Sequence, residues 1–202
     1  MIKLYTAAAP NGRKVSVALE EIGLPYEVHA VDLANGEQLK PEFLALNPNN
    51  KIPVIDDDGL VIWESGAILL HLAEKSGQLL PKDPAGRIAA IQYAFFQTGG
   101  IGPTLGRLGA QLRRPENERN AEMLQIFSDE TDRLLNVLDR ILADGREYLA
   151  GEFSIGDIMH FGWLDIPLKL GMKQVVERPR VKAWLERIAA RPAVQRGMQV
   201  PS

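Results

Sequence analysis

Short apolar runs bounded by turn residues dominate the first eighty positions, and helical periodicity dominates the rest. Ile2–Tyr5 reads as a strand, Asn11–Ile22 as a helix and Tyr26–Asp32 as a second strand, with a short helix near Pro41–Ala45. Asn49-Asn50-Lys51-Ile52-Pro53-Val54-Ile55 then reads as a turn entering a strand. Asp56-Asp57-Asp58-Gly59 is a hairpin turn, and Leu60-Val61-Ile62-Trp63 is the returning strand. Glu64-Ser65-Gly66 opens a helix through Leu72. The order is β-α-β-α-β-β-α, with a right-handed parallel crossover expected between the first two strands.

Beyond a linker rich in turn residues, Gly77–Pro84, strand signals vanish. Arg87 to about Arg113 reads as a long helix that Gly99-Gly100-Ile101-Gly102-Pro103 should kink or divide. A second helix spans Asn117 to Leu142, with Leu124, Phe127, Thr131, Leu134, Leu138 and Ile141 at helical spacing. A third starts at Ser154-Ile155-Gly156-Asp157, a capping-box variant in which Asp157 has a folding role. The last, Val181 to Ala190, ends at Arg191-Pro192. The fold class is therefore α/β plus all-α: a thioredoxin-like N-terminal domain over 1–80, a linker over 81–86, and a C-terminal helical bundle domain over 87–202.

Composition narrows the chemistry. Of 202 residues, 46% are hydrophobic and 24% charged, which suits a protein with a proper core. The formal charge of -3 argues against nucleic acid or an acidic membrane as the main partner. No apolar run reaches the length of a membrane span, and the chain opens directly on a strand, so no signal peptide and a cytoplasmic location are expected. Cysteine is absent, which removes disulfides, thiolate metal sites and a cysteine nucleophile. His29, His71 and His160 lack ligand spacing, so no metal site is expected. Any sulfur chemistry must use a thiol that the ligand brings.

Pro53 cannot donate a ladder hydrogen bond, so the backbone of Ile52 is free for a ligand. X-Pro is also the peptide bond with an appreciable cis population. Ser65 lies where unpaired N–H groups and the helix dipole favour an anion, although it reads equally as a helix cap. This unit offers a backbone edge for an extended peptide and a cradle for its carboxylate. The run from Lys51-Ile52-Pro53-Val54 through Ile62-Trp63-Glu64-Ser65-Gly66-Ala67-Ile68 resembles the glutathione-binding half of the soluble glutathione transferases, and the Ser154 box resembles the capping motif of their helical domain. The resemblance covers nearly the whole chain. It implies glutathione, reduced or oxidised, as cofactor, a cis Pro53, backbone pairing of Ile52 with the cysteinyl unit, and Glu64 with Ser65 at the γ-glutamyl carboxylate.

Glutathione's thiol, with a pKa of roughly 8.5, is mostly protonated at neutral pH and must be activated. In this family the activating group lies in the turn after the first strand, here Tyr5 to Lys14. The resemblance puts Ala9 where serine-type members carry a hydroxyl and close relatives a threonine. The remaining donors are the Asn11 amide, the N–H groups of the first helical turn, and Thr6. Asn11 donates without holding a titrating proton, as an oxyanion-hole group does, and reads alternatively as a plain N-cap.

Pro10-Asn11-Gly12-Arg13-Lys14, Gly36-Glu37-Gln38 and Phe95-Phe96-Gln97-Thr98-Gly99-Gly100 resemble the Nu-class bacterial transferases and related yeast nitrogen regulators. Nu-class enzymes reduce organic disulfides with glutathione. The resemblance gives Asn11 the catalytic role, Gln38 a contact to the glycyl end, and Asn50 or Lys51 its carboxylate; Gln38 reads alternatively as a solvated loop residue. Tyr93, Phe96, Gly100, Pro103 and Trp163 are candidate walls for a small electrophilic or disulfide substrate between the domains, and equally core residues. Arg107, Arg113 and Arg114 would favour an anionic substrate or form a solvated face. Relatives carry an arginine near Ile126, and its absence weakens contact with a second glutathione across the homodimer that the family implies.

Two functions follow. The first is a glutathione-dependent transferase or disulfide-bond oxidoreductase with the bound thiolate as nucleophile. The second, motivated by Ala9, is a glutathione-binding regulatory or interaction module with little turnover. Reductive dehalogenation and isomerisation with glutathione are further chemistries the same fold hosts.

Overall fold

The computed structural model describes residues 1–201 and divides into two compact units. The first comprises Met1–Pro81 with the C-terminal segment from Ala189; the second is Lys82–Ile188.

In the first unit, β1 (Ile2–Thr6), α1 (Pro10–Ile22), β2 (Tyr26–Ala30), α2 (Pro41–Leu46), β3 (Val54–Asp57), β4 (Leu60–Trp63) and α3 (Ser65–Ser76) follow one another as the apolar runs predict. The four-stranded sheet has the order β2-β1-β3-β4. β1 and β2 pair in parallel with Ile2 opposite Tyr26, while β3 is antiparallel to both β1 and β4. This is the thioredoxin-like architecture. Alternation along β1 buries Ile2, Leu4 and Thr6 and leaves Tyr5 half-buried, packed with Leu46 and Ile52 against Val31, Phe43 and Val54. That cluster fixes the approach to Pro53.

The far end of α3 is tied to the hairpin by Asp57. Its buried carboxylate accepts from His71 Nε2 at 2.8 Å and from Lys75 Nζ at 2.6 Å. His71 and Lys75 stand one helical turn apart, so both reach the same acceptor. The Lys75 hydrogen bond, reinforced by His71, holds the Asp57 carboxyl below its ordinary range. A depressed folded-state pKa contributes stability above the unfolded carboxylate range and loses it as pH falls through the folded value. Asp57→Asn should therefore lower the urea midpoint at pH 7, and the gap to wild type should close as acidification takes the pH below the ordinary carboxylate range.

The sequence reading assigned the C-terminal segment to the helical domain; contacts join it to α1 instead. A helix absent from that reading, α10 (Pro192–Gly197), lies so close that a Cβ on Gly197 would sit 2.5 Å from Val17 Cα. Ser16 Oγ donates to Gly197 O at 2.7 Å, and Arg191 and Arg196 pair with Glu21 and Glu20, each at 2.7 Å.

In the second unit, α4 (Pro84–Phe96) and α5 (Gly102–Leu112) are joined by a π-helical turn, Gln97–Ile101, so the glycine-proline segment widens the helix where a kink or a division was expected. α6 (Ala121–Ile141) starts later than its periodicity suggested, because Asn120 caps it by accepting from Met123 N at 2.9 Å. α7 (Ile155–Lys169), the short α8 (Lys173–Val176) and α9 (Pro179–Ala189) complete the unit. Asp157 is fully buried at the start of α7. Its carboxylate accepts from Ser154 N, Ser154 Oγ and Leu149 N at 3.0 Å and from Trp184 Nε1 at 2.8 Å.

Candidate functional site in the thioredoxin-like unit

The first wall of the site is the start of α1. The N-cap is Ala9, extended at φ -130° and ψ 156°, and Pro10 takes the first helical position, where its missing N–H costs nothing. Asn11 is therefore inside the first turn, and the alternative reading of Asn11 as the cap does not hold. Thr6 is fully buried beneath that turn: a Cβ on Gly12 would meet Thr6 Oγ1 at 2.3 Å and the Ala7 carbonyl oxygen at 2.5 Å. The glycine permits this close approach. Thr6 stands behind the turn, which leaves Asn11 and the adjacent N–H groups as the donors facing outward.

The second wall is the chain entering β3. Asn47, itself buried, donates through Nδ2 to the Lys51 carbonyl at 2.7 Å and accepts from Asn49 N at 2.9 Å, closing the turn from within. Asn50 adopts a left-handed φ of 49° in that turn. The Ile52–Pro53 peptide bond is cis. Ile52 precedes the ladder, whose first β3 residue is Val54, paired with Tyr5 and Trp63.

The third wall is the entry to α3. Glu64, not Ser65, is the N-cap, at φ 73° and ψ 113°. Such a backbone costs a non-glycine residue about 1–3 kcal/mol and persists only where its surroundings hold it. Ser65 is buried at the first helical position, so its hydroxyl joins unpaired N–H groups at the positive end of the helix dipole.

These walls enclose a cavity of about 120 Å³ lined by Asn11, Asn47, Lys51, Ile52, Pro53, Glu64 and Ser65. Two helix N-termini, two amides, an ammonium, a hydroxyl and the Glu64 carboxylate converge there on a backbone edge. The cavity suits an extended ligand that carries both a carboxylate and an ammonium group. Lys14, one turn beyond Asn11 on α1, is 1% exposed. Burial pulls its ammonium down to about 7, opposed by the field of the Glu64 carboxylate.

Two family models match this chain: the glutathione S-transferase N-terminal domain over residues 1–74 and the C-terminal domain over residues 101–192. The chain belongs to the glutathione S-transferase family. The transferase is 41% identical over 201 residues to the disulfide-bond oxidoreductase YfcG of Escherichia coli, covering 96% of this chain and 92% of the relative. A glutathione transferase from Burkholderia graminis, solved with two glutathione molecules per subunit, superposes with a TM-score of 0.93 at 44% identity, covering 100% of this chain and 88% of the other. A glutathione transferase from Pseudomonas putida, solved with one glutathione disulfide per subunit, gives 0.93 at 43% identity, covering 100% and 92%.

Not every expected site residue of the transferase faces the cavity. Gln38 lies on a 3-10 turn, Glu37–Leu39, outside the lining, with a buried Oε1 that has no hydrogen-bond partner among the described residues. Asn50 shapes the turn without lining the cavity. In the helical unit Tyr93 is buried, its Cβ 3.0 Å from where a Cβ on Gly156 would stand, which is a core position. Phe96 lies 5.7 Å from the His160 ring, and a Cβ on Gly100 would meet Leu134 at 3.1 Å. Pro103 is exposed, and Trp163 packs over Gly102 and Gly106 of α5. Asn47 escaped the sequence reading, although Asn47-Pro48 is a turn-initiating pair that would have flagged it.

Proposed function

We propose that this transferase binds glutathione in the cavity between Asn11 and Ser65 and uses its thiolate in disulfide exchange. The convergence of Asn11, Lys51, Ile52, Pro53, Glu64 and Ser65 on one cavity carries the reading. In it the cysteinyl backbone pairs with Ile52, the γ-glutamyl carboxylate lies on Ser65 and the N–H groups of α3, Glu64 faces the γ-glutamyl ammonium, and Lys51 with Asn50 and Gln38 serves the glycyl end. The thiol then lies at Asn11, whose amide and the α1 dipole favour the thiolate.

The thiolate attacks one sulfur of a disulfide substrate, forming a mixed disulfide and releasing the other sulfur as a thiolate, which takes a proton. A second glutathione thiolate attacks the mixed disulfide to give glutathione disulfide and the second thiol. Both nucleophilic sulfurs come from glutathione, because the chain has no cysteine. The E. coli relative's designation as a disulfide-bond oxidoreductase supports this choice of reaction. Tyr93, Phe96, Gly100, Pro103 and Trp163 remain the proposed substrate contacts.

Ala9 favours a second reading, a glutathione-binding regulatory module, since it offers no hydroxyl to the sulfur. Titrating the bound thiol by its ultraviolet thiolate absorbance, together with steady-state reduction of a small organic disulfide, separates the two. A lowered thiol pKa with turnover is expected. Binding with a solution-like thiol and no turnover would leave only the module.

A homodimer in the cytoplasm completes the proposal. Ile88 and Phe95, on one face of α4, are 61% and 72% exposed, an apolar stripe suited to a partner subunit. Among the described residues no helix is long and apolar enough to cross a membrane. Sedimentation equilibrium should return twice the chain mass.

A further inference from the structure

Lys14 is the one lysine among the described residues buried to this degree, and nothing in the expected glutathione contacts uses it. It follows the cavity-lining Asn11 by three residues, one turn along α1, and its side chain is buried within the fold. α1 packs on α3, and the entry to α3 is Glu64, exposed at the cavity rim in its left-handed backbone. A charge in so dry a place acts on its surroundings with little screening.

The other charges on elements packed against α1 are engaged elsewhere. On α3, His71 and Lys75 hold Asp57, and Glu74 lies on the same distal half. Arg191 and Arg196, flanking and within α10, pair with Glu21 and Glu20. On β1, Lys3 Nζ lies 5.8 Å from the centre of the Tyr5 ring. Glu64 is the charge whose field acts on Lys14, and it favours the protonated lysine.

We propose that Lys14 is a positioning residue for the glutathione site: its buried ammonium draws the Glu64 carboxylate over the γ-glutamyl end of the cavity, so that the tripeptide binds to the form in which Lys14 carries its proton. This rests on the glutathione reading above. An anionic ligand above a buried ammonium stabilises that ammonium, and by linkage the ammonium strengthens the ligand's binding. Because burial brings the lysine down to about 7, the coupling operates across neutral pH. Affinity should fall as pH rises through that value, in the direction opposite to the gain in thiolate.

The test is calorimetric titration of S-methylglutathione, which has no thiol proton, into the full chain between pH 6 and 8. Wild type should lose affinity by roughly tenfold across that range, the limit for a single proton with a pKa near 7. Lys14→Arg, which stays charged, should hold its affinity across the range. Lys14→Met should bind at least about tenfold more weakly than wild type at pH 6 and show no pH dependence. A flat wild-type profile, or a Lys14→Arg profile that falls like wild type, overturns the inference even if Lys14→Met fails to fold. Wild-type protein that takes up no S-methylglutathione at any pH would instead overturn the glutathione reading itself.

Discussion

Replacing Asn11 with alanine is expected to cut disulfide-reducing turnover by about ten- to a thousandfold while leaving the fold intact. The size of the effect follows from the chemistry left at the start of α1. Ala9 carries no hydroxyl, and Thr6 is buried behind the turn under Gly12. The Asn11 amide is thus the side-chain donor in the cavity wall on the α1 side. Asn11 sits inside the first helical turn rather than at the cap, so alanine there removes no cap and gains in helix propensity. Two readouts should move together: kcat falls, and the pKa of bound glutathione rises toward its solution value. Steady-state kinetics with thiolate absorbance checks both, and an unchanged kcat removes Asn11 from the mechanism.

Asp157→Ala should produce the largest loss of stability. Four donors converge on that carboxylate, from Ser154 N, Ser154 Oγ, Leu149 N and Trp184 Nε1, and all are buried. Alanine leaves them without an acceptor where water does not reach, at a cost of about 3–5 kcal/mol. For a chain of this size that lowers the melting temperature by about 6–20 °C. The pH dependence runs opposite to that of Asp57. Burial pushes the Asp157 carboxyl up to about 6 against the pull of its hydrogen bonds. A raised folded-state pKa gives a contribution that is full below the ordinary carboxylate range and declines as pH rises through about 6. The difference between wild type and Asp157→Ala should be about 1 kcal/mol larger at pH 5 than at pH 7. Urea denaturation at the two pH values measures it; a variant as stable as wild type would assign the α7 start a minor part in folding.

Local signals carried the sequence reading, and it failed where contacts are distant. Turn residues, strand alternation and the proline of the β3 entry marked the β-α-β-α-β-β-α order, because each works within a few residues. The capping box at Ser154 was visible for the same reason. Its union with Leu149 and Trp184 was not, since Trp184 lies 27 positions away. α10 was missed because what holds it is tertiary: the Ser16–Gly197 hydrogen bond spans 181 positions. At the π turn Gln97–Ile101 the sequence signalled a kink or a division without choosing, because glycine and proline announce disruption without saying which hydrogen-bond pattern absorbs it. In the site, the Pro53 and Ser65 motifs were legible as a cradle. That Glu64 rather than Ser65 caps α3, and that Lys14 is buried, depend on how the chain packs around α1 and α3.

A crystal structure of the chain grown with saturating glutathione disulfide tests the central claim most directly. The account predicts one γ-glutamyl carboxylate on Ser65 and the first N–H groups of α3, a cysteinyl unit paired with the backbone of Ile52, and its sulfur beside Asn11. Density for the tripeptide somewhere else, with the space between Asn11 and Ser65 filled by water alone, would contradict it.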